Sequence, residues 1–310
     1  MAALSLPTPM LRRIGAAAGE MMGSAPGMDF DFAVPRGEPA LVPADSVSWR
    51  VFRNPVTLFI GGVAAVILEL AEPGVRDGVW QHSSFRTDAL TRLRRTGLAA
   101  MMSVYGPRSR AEAMIAGVVR AHERVTGVTS EGIPYRANDP VLLDWVQATA
   151  SYGFIRAYHA YAEALSYRER DKALAEGAVV AQLYGATGAP ASEAKMAALF
   201  AKMDARLVPS PIIHEFLAIM RVVPALPRAA RPFQRMLLRA SVSLLPDALI
   251  DRLGLEAWRL RRFERRLVRA VAKVANRVPL LDAPPARASE RLGLPGDWLW
   301  KRHDQAEAVP

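Results

Sequence analysis

No cysteine occurs among the 310 residues. Its absence excludes disulfides, iron–sulfur clusters, thiolate zinc sites and a cysteine nucleophile. Long hydrophobic runs are missing as well. The best, Leu58–Leu68 (LFIGGVAAVIL), ends at Glu69, short of the ~20 apolar residues a spanning helix needs. The N-terminal stretch LRRIGAAAGEMM contains Glu20 and no extended apolar core, which argues against a secretory signal. Cytoplasm is therefore the expected location, with a peripheral membrane contact left open. HExxH, GxSxG, Walker and dinucleotide-type glycine motifs are absent, so none of the chemistries they carry is indicated. Histidine is the remaining soft metal ligand. There are five: His82, His122, His159, His214 and His303.

Hydrophobic residues make up 51% of the chain, ample for a sizeable core. The 40 Lys+Arg and 30 Asp+Glu leave a net charge of +10, which invites a nucleic-acid or membrane-surface reading. Most of it is local. Arg259–Arg277 (RLRRFERRLVRAVAKVANR) holds eight basic residues and one acid, leaving +3 for the rest of the chain. Its apolar residues Leu260, Phe263, Leu267, Val271 and Val274 step by three or four, so they form one stripe of a helix. The expected arrangement packs that stripe inward and solvates the basic face. Docking to an anionic membrane is the alternative. No base-reading motif or aromatic interleaving accompanies the charge, so no nucleic-acid partner is expected.

Nearly every segment reads as helix. Ser109–Glu112 has the form of a capping box ahead of a helix over 111–125. Asn138, Asp139 and Pro140 open one over 141–165, and Ser166–Glu169 is a second capping box for a helix ending near Gly185. Further helical periods cover about 192–207, 212–222, 231–244 and 255–277, with prolines falling between them. No strand alternation stands out. The expected fold is all-α: a single multi-helix domain over residues 50–280, an irregular arm over 1–49, and a C-terminal extension over 281–310 packed on the domain.

In the predicted helix around His122, the residues Ile115, Val118, Val119, His122 and Val125 recur at helical spacing and put the imidazole on an aliphatic face. Taken alone, such a histidine reads as a core residue with a satisfied ring. One helix earlier, Arg92, Arg95 and Thr96 share a face opposite Leu90, Leu93, Gly97 and Met101. Two guanidiniums and a hydroxyl there suit an anion or an oxygen-derived ligand, or plain solvent exposure.

Several blocks then follow in a recognisable order: Leu70–Val75 (LAEPGV), His82–Phe85 (HSSF), Arg92–Thr96 (RLRRT), Ala121–Gly127 (AHERVTG), Tyr135–Thr149 (YRANDPVLLDWVQAT), Leu165–Asp171 (LSYRERD) and Leu244–Pro246 (LLP). Over roughly residues 50–280 the chain resembles the MpaB-like oxygenases and the catalytic domain of rubber oxygenase (latex-clearing protein). The resemblance implies an all-helical fold with a globin-like core holding haem b, and oxidative cleavage of isoprenoid double bonds with dioxygen. It implies His122 as iron ligand and Arg92, Arg95 and Thr96 on the distal side. Those residues, with Met101, Val118 and Val119, would form the haem pocket. An apolar isoprenoid- or lipid-like substrate, dioxygen and an electron donor would be the partners. The chain departs from the family's pattern in three ways: Val119 and Thr126 flank the histidine where relatives carry arginines, Arg95 stands for a lysine, and Gln147 replaces a histidine. The competing expectation is a helical protein that binds a lipid or small molecule without haem or turnover.

Overall fold

The computed structural model describes residues 30–301 apart from Pro227; the sequence features before residue 30, and His303, lie outside that range. The fold is all-α, with fourteen α-helices and one two-stranded hairpin among the described residues. In chain order these are α1 (Val47–Phe52), α2 (Pro55–Ala71), α3 (Pro73–His82), α4 (Ala89–Tyr105) and α5 (Arg108–His122). The hairpin β1 (Thr126–Val128) and β2 (Pro134–Arg136) follows, then α6 (Pro140–Ala157), which ends in a π-helical turn, Tyr158–Ala162. The remainder are α7 (Tyr167–Glu176), α8 (Ala178–Leu183), α9 (Glu193–Met203), α10 (Pro211–Val222), α11 (Arg231–Val242), α12 (Asp247–Arg252), α13 (Arg262–Ala275) and α14 (Pro284–Arg291).

Helix α2 is the axis of the molecule. Asn54 caps it, accepting from the N–H groups of Val56 and Thr57 at 3.1 Å each, and Pro55 supplies a φ already suited to the first turn. Fully buried, Asn54 also donates to the Ala272 carbonyl of α13 at 2.9 Å. Helix α6 lies along α2, and α11 packs on it as well. The α2–α6 contact is closest where two glycines meet: a Cβ on Gly61 would sit 2.7 Å from the Gly153 carbonyl oxygen, and one on Gly153 would strike the Gly61 backbone.

Two large apolar clusters result, beside a small one of Leu143, Ala181 and Ala186. The larger gathers α2, α6, α10, α11 and α13. The second joins Phe32, Leu41, Val42 and Trp49 to α4 and α5, and to Ala286, Leu299 and Trp300 near the C-terminus. Fully buried Arg291 ties these last pieces together by donating to the carbonyls of Phe32, Glu38 and Tyr105 at 2.7–2.8 Å.

Local signals are overridden at several points. The predicted box at Ser109 does not form, because the Glu38 carboxylate takes the Ser109 N–H and hydroxyl; Pro107 precedes the helix instead. The 141–165 helix stops at Ala157 and gives way to the π turn. The segment ending near Gly185 is two short helices meeting at Gly177. The 255–277 helix is broken, because Ser243 accepts the Leu260 N–H at 2.7 Å and Arg239 bonds the Arg259 carbonyl, which holds Arg259 extended. The Ser166–Glu169 box forms as read. The small hairpin was not foreseen.

The glycine crossing gives a contrast. Gly61→Ala or Gly153→Ala is expected to cost about 2–3 kcal/mol through overpacking. Gly62→Ala, whose Cβ would meet only a Phe154 ring carbon at 3.8 Å, should change the thermal midpoint little. Thermal denaturation of the three variants checks this.

Candidate active site

One stripe of α2 differs from the rest of the helix. Leu58, Gly62, Val66 and Glu69 recur at three- and four-residue steps and are half-buried, whereas Ile60, Ile67, Leu68 and Leu70 are fully buried. Val146, Ala150 and Phe154 form a matching half-buried row on α6. Arg92 and Ala99 on α4, and Val118 and His122 on α5, are half-buried as well. Among these residues Glu69, Arg92 and His122 are near enough for the Arg92 charge to act on both of the others.

Glu69 is the residue the sequence reading missed; there it served only to end an apolar run. Burial raises its carboxyl pKa to about 7, while the Arg92 guanidinium and the Thr149 hydroxyl pull it down. Thr149 Oγ1 lies 3.3 Å from Glu69 Oε1. Burial wins over both, so near neutral pH Glu69 is divided between acid and carboxylate. The signal was present: one acid flanked by Leu68 and Leu70 in an otherwise apolar helix has to be held there by something.

Arg92 faces Glu69 from α4. Burial lowers its pKa, Glu69 raises it and Arg95 lowers it. Its guanidinium donates to Thr96 Oγ1 at 2.5 Å, and the Thr96 hydroxyl donates back to the Arg92 carbonyl at 2.9 Å. Thr96 therefore locks the Arg92 side chain. Arg95 is exposed, and its charge is felt by Arg92 and by Asp88.

His122 ends α5. Burial lowers its pKa, the Arg92 charge lowers it further, and Asn138 raises it; the ring is therefore neutral at pH 7 and keeps a lone pair. Asn138 lies beside the imidazole, yet His122 Nδ1 and Asn138 Oδ1 are both buried without a hydrogen bond of ordinary geometry. Asn138 is held by donation from Nδ2 to the Val119 carbonyl at 3.1 Å. Next to it Asp139 caps α6, accepting the Val141 and Leu142 N–H groups.

The predicted site residues thus separate. Arg92, Thr96 and His122 sit close to one another, with Val118 and Val119 half-buried on the His122 helix. Met101 is buried in the second cluster beside Leu98 and Met102, the cluster against which Val119 also packs. Gly97 is exposed rather than packed. Of the other described histidines, His82 and His214 are exposed, and His159 Nδ1 accepts the Leu165 N–H at 2.9 Å to brace the π turn.

Among the described residues no group of three or more His, Asp or Glu side chains could hold a metal ion. A single neutral imidazole suits a metal that brings its own equatorial ligands, as haem iron does. His122, whose buried Nδ1 makes no hydrogen bond of ordinary geometry, is such an imidazole.

Residues 49–277 match the family described as ER-bound oxygenase mpaB/B'/Rubber oxygenase, catalytic domain. The chain belongs to this family. No curated protein and no solved structure matches it. At the level of the family this is an oxygenase domain, which implies a small-molecule substrate and dioxygen. All the half-buried residues named above lie inside the matched span.

The Glu69 shift fixes a pH dependence. The folded pKa lies above the ordinary value of 4.5, so the native state binds more protons than the unfolded chain between about pH 4.5 and 7, and stability falls as pH rises through that window. Glu69→Gln should remove this fall and stabilise the oxygenase domain at pH 8 by up to about 3 kcal/mol. Denaturant unfolding at pH 5 and pH 8 measures it; an equal effect at both would contradict the assignment.

Proposed function

We propose that this protein is a haem b-dependent oxygenase, with a globin-like core, acting on an apolar isoprenoid- or lipid-like substrate with dioxygen. The observation that carries the reading is the convergence of half-buried Glu69, Arg92 and His122 from three helices, with the Arg92 charge acting on both of the others. His122 would hold the iron, with Asn138 beside the other ring nitrogen to orient it. Dioxygen activation is the chemistry haem would supply when bound there.

The chain's own residues account for the rest. Arg92, fixed by Thr96, presents a permanent cation and several N–H donors to negative charge developing on oxygen. Arg95 is exposed and always protonated, so it would make a poor iron ligand. Glu69 Oε1 is engaged by Thr149, which leaves Oε2 to take or release a proton. A carboxyl titrating near 7 can do either at neutral pH. Val66, Val118, Ala150 and Phe154, half-buried on α2, α5 and α6, would supply apolar surface for such a substrate. The departures at Val119, Thr126 and Gln147 leave these groups untouched: Val119 contributes its carbonyl, Thr126 belongs to the hairpin, and Gln147 lies by Gly177.

Protein produced with a haem precursor should show a Soret band that His122→Ala abolishes. Glu69→Gln should keep the band and lose about 100-fold or more in oxygen uptake with an isoprenoid substrate. A colourless protein from haem-replete cells overturns the proposal and leaves a helical binding protein in its place.

A further inference from the structure

The sequence pattern of α13 suggests that its most apolar stripe faces inward, and the structure reverses this. The buried row is Glu264, Val268 and Ala272. Glu264 holds that face down, pairing with Arg239 of α11 at 3.0 Å and accepting the Arg261 N–H at 2.8 Å. The stronger hydrophobes point away from the body: Phe263 is 62% exposed, Leu267 44% and Val274 53%. With exposed Ala270 they follow one another at steps of four, three and four, forming a continuous row of about 17 Å along the helix. Displaced by one residue, Arg262, Arg266, Arg269 and Lys273 form a parallel basic row, all exposed. Among the described residues Arg262, Arg266 and Lys273 make no ion pair, and Arg269 is occupied only by the Ala160 carbonyl at 2.9 Å.

We propose that this face of α13 docks the protein on an anionic phospholipid surface, with the apolar row entering the acyl boundary and the basic row meeting headgroup phosphates. Paired rows of this kind suit a helix lying in the plane of a membrane interface. The alternatives fit less well. Nucleic acid would reward the charge but offers nothing to Phe263, Leu267 and Val274, which have no partner aromatics for base stacking. A second copy in a two-fold arrangement would bring the basic row toward its own counterpart. The helix is anchored through its opposite face by Glu264 and by the Asn54 contact to Ala272, so it can present these rows without unfolding anything.

The test is vesicle co-sedimentation of the full-length protein with phosphatidylcholine vesicles, with and without about one-third phosphatidylserine. The anionic vesicles should bind at least about tenfold more tightly than the neutral ones, and high salt should weaken that binding steeply. Phe263→Ser/Leu267→Ser and Arg262→Glu/Arg266→Glu should each lose about tenfold or more while keeping the wild-type thermal midpoint, since all four side chains are exposed. Equal binding to neutral vesicles, or an apolar-row variant that binds like wild type, overturns the proposal. So does duplex DNA binding without vesicle binding, or self-association that Phe263→Ser/Leu267→Ser abolishes in a protein that ignores vesicles.

Discussion

Helices α2 and α6 can approach as closely as they do only because Gly61 and Gly153 present no side chain at the crossing. Larger residues there would hold the axes apart by the thickness of the packed side chains. The crossing has two consequences. It brings Thr149 within reach of Glu69 across the helix pair. It also fills the facing stripes of both helices with backbone contact and leaves the stripes a quarter-turn away, Gly62–Val66–Glu69 and Val146–Ala150–Phe154, half-buried. Because the Thr149–Glu69 contact depends on that approach, a change at either glycine would be felt at the site as well as in stability.

Three titratable groups lie near one another here, and their shifts form a consistent set. Burial pushes each toward its neutral form: Glu69 upward, Arg92 and His122 downward. The Glu69–Arg92 attraction opposes it, with Thr149 acting the same way on Glu69 and Asn138 on His122, and in Glu69 and His122 burial wins. The Arg92 charge works against protonation of His122, so cation and neutral imidazole reinforce each other's states. A site built this way holds one fixed positive charge, one neutral lone pair and one exchangeable proton near pH 7. Those are properties that an oxygenase site can use.

Much of the helical plan was legible because its signals are local. Ser166 and Glu169, or Asp139 followed by Pro140, satisfy the orphan N–H groups of their own first turn wherever the rest of the chain goes. The Ser109 box failed because Glu38, far away in sequence, competed for the same groups. The α13 stripe failed for a related reason. Helical periodicity identifies the rows of a helix but not the one that faces the core, and here a buried ion pair outweighed the preference of Phe263 and Leu267 for the interior. At the site, His122, Arg92 and Thr96 were readable as residues. Glu69 was not, since its partners Thr149 and Arg92 lie on other helices and only the tertiary arrangement gives it a role.

The hairpin is the one β element in the described fold, and its position accounts for it. Three-residue strands are marginal alone, but this pair begins four residues after His122 and ends two before Asn138. Tyr135 anchors it by burying its ring against Gly74 and Gly78 of α3, and Gly127 leaves room for the phenol: a Cβ there would lie 2.5 Å from its hydroxyl. The Ala137 N–H donates to the Val125 carbonyl at 2.9 Å, closing the loop. The chain is thereby turned back on itself so that Asn138 reaches the Val119 carbonyl, which also accepts the Glu123 N–H at 3.2 Å. The Asn138 amide is thus placed beside the His122 ring by the α5–α6 connection.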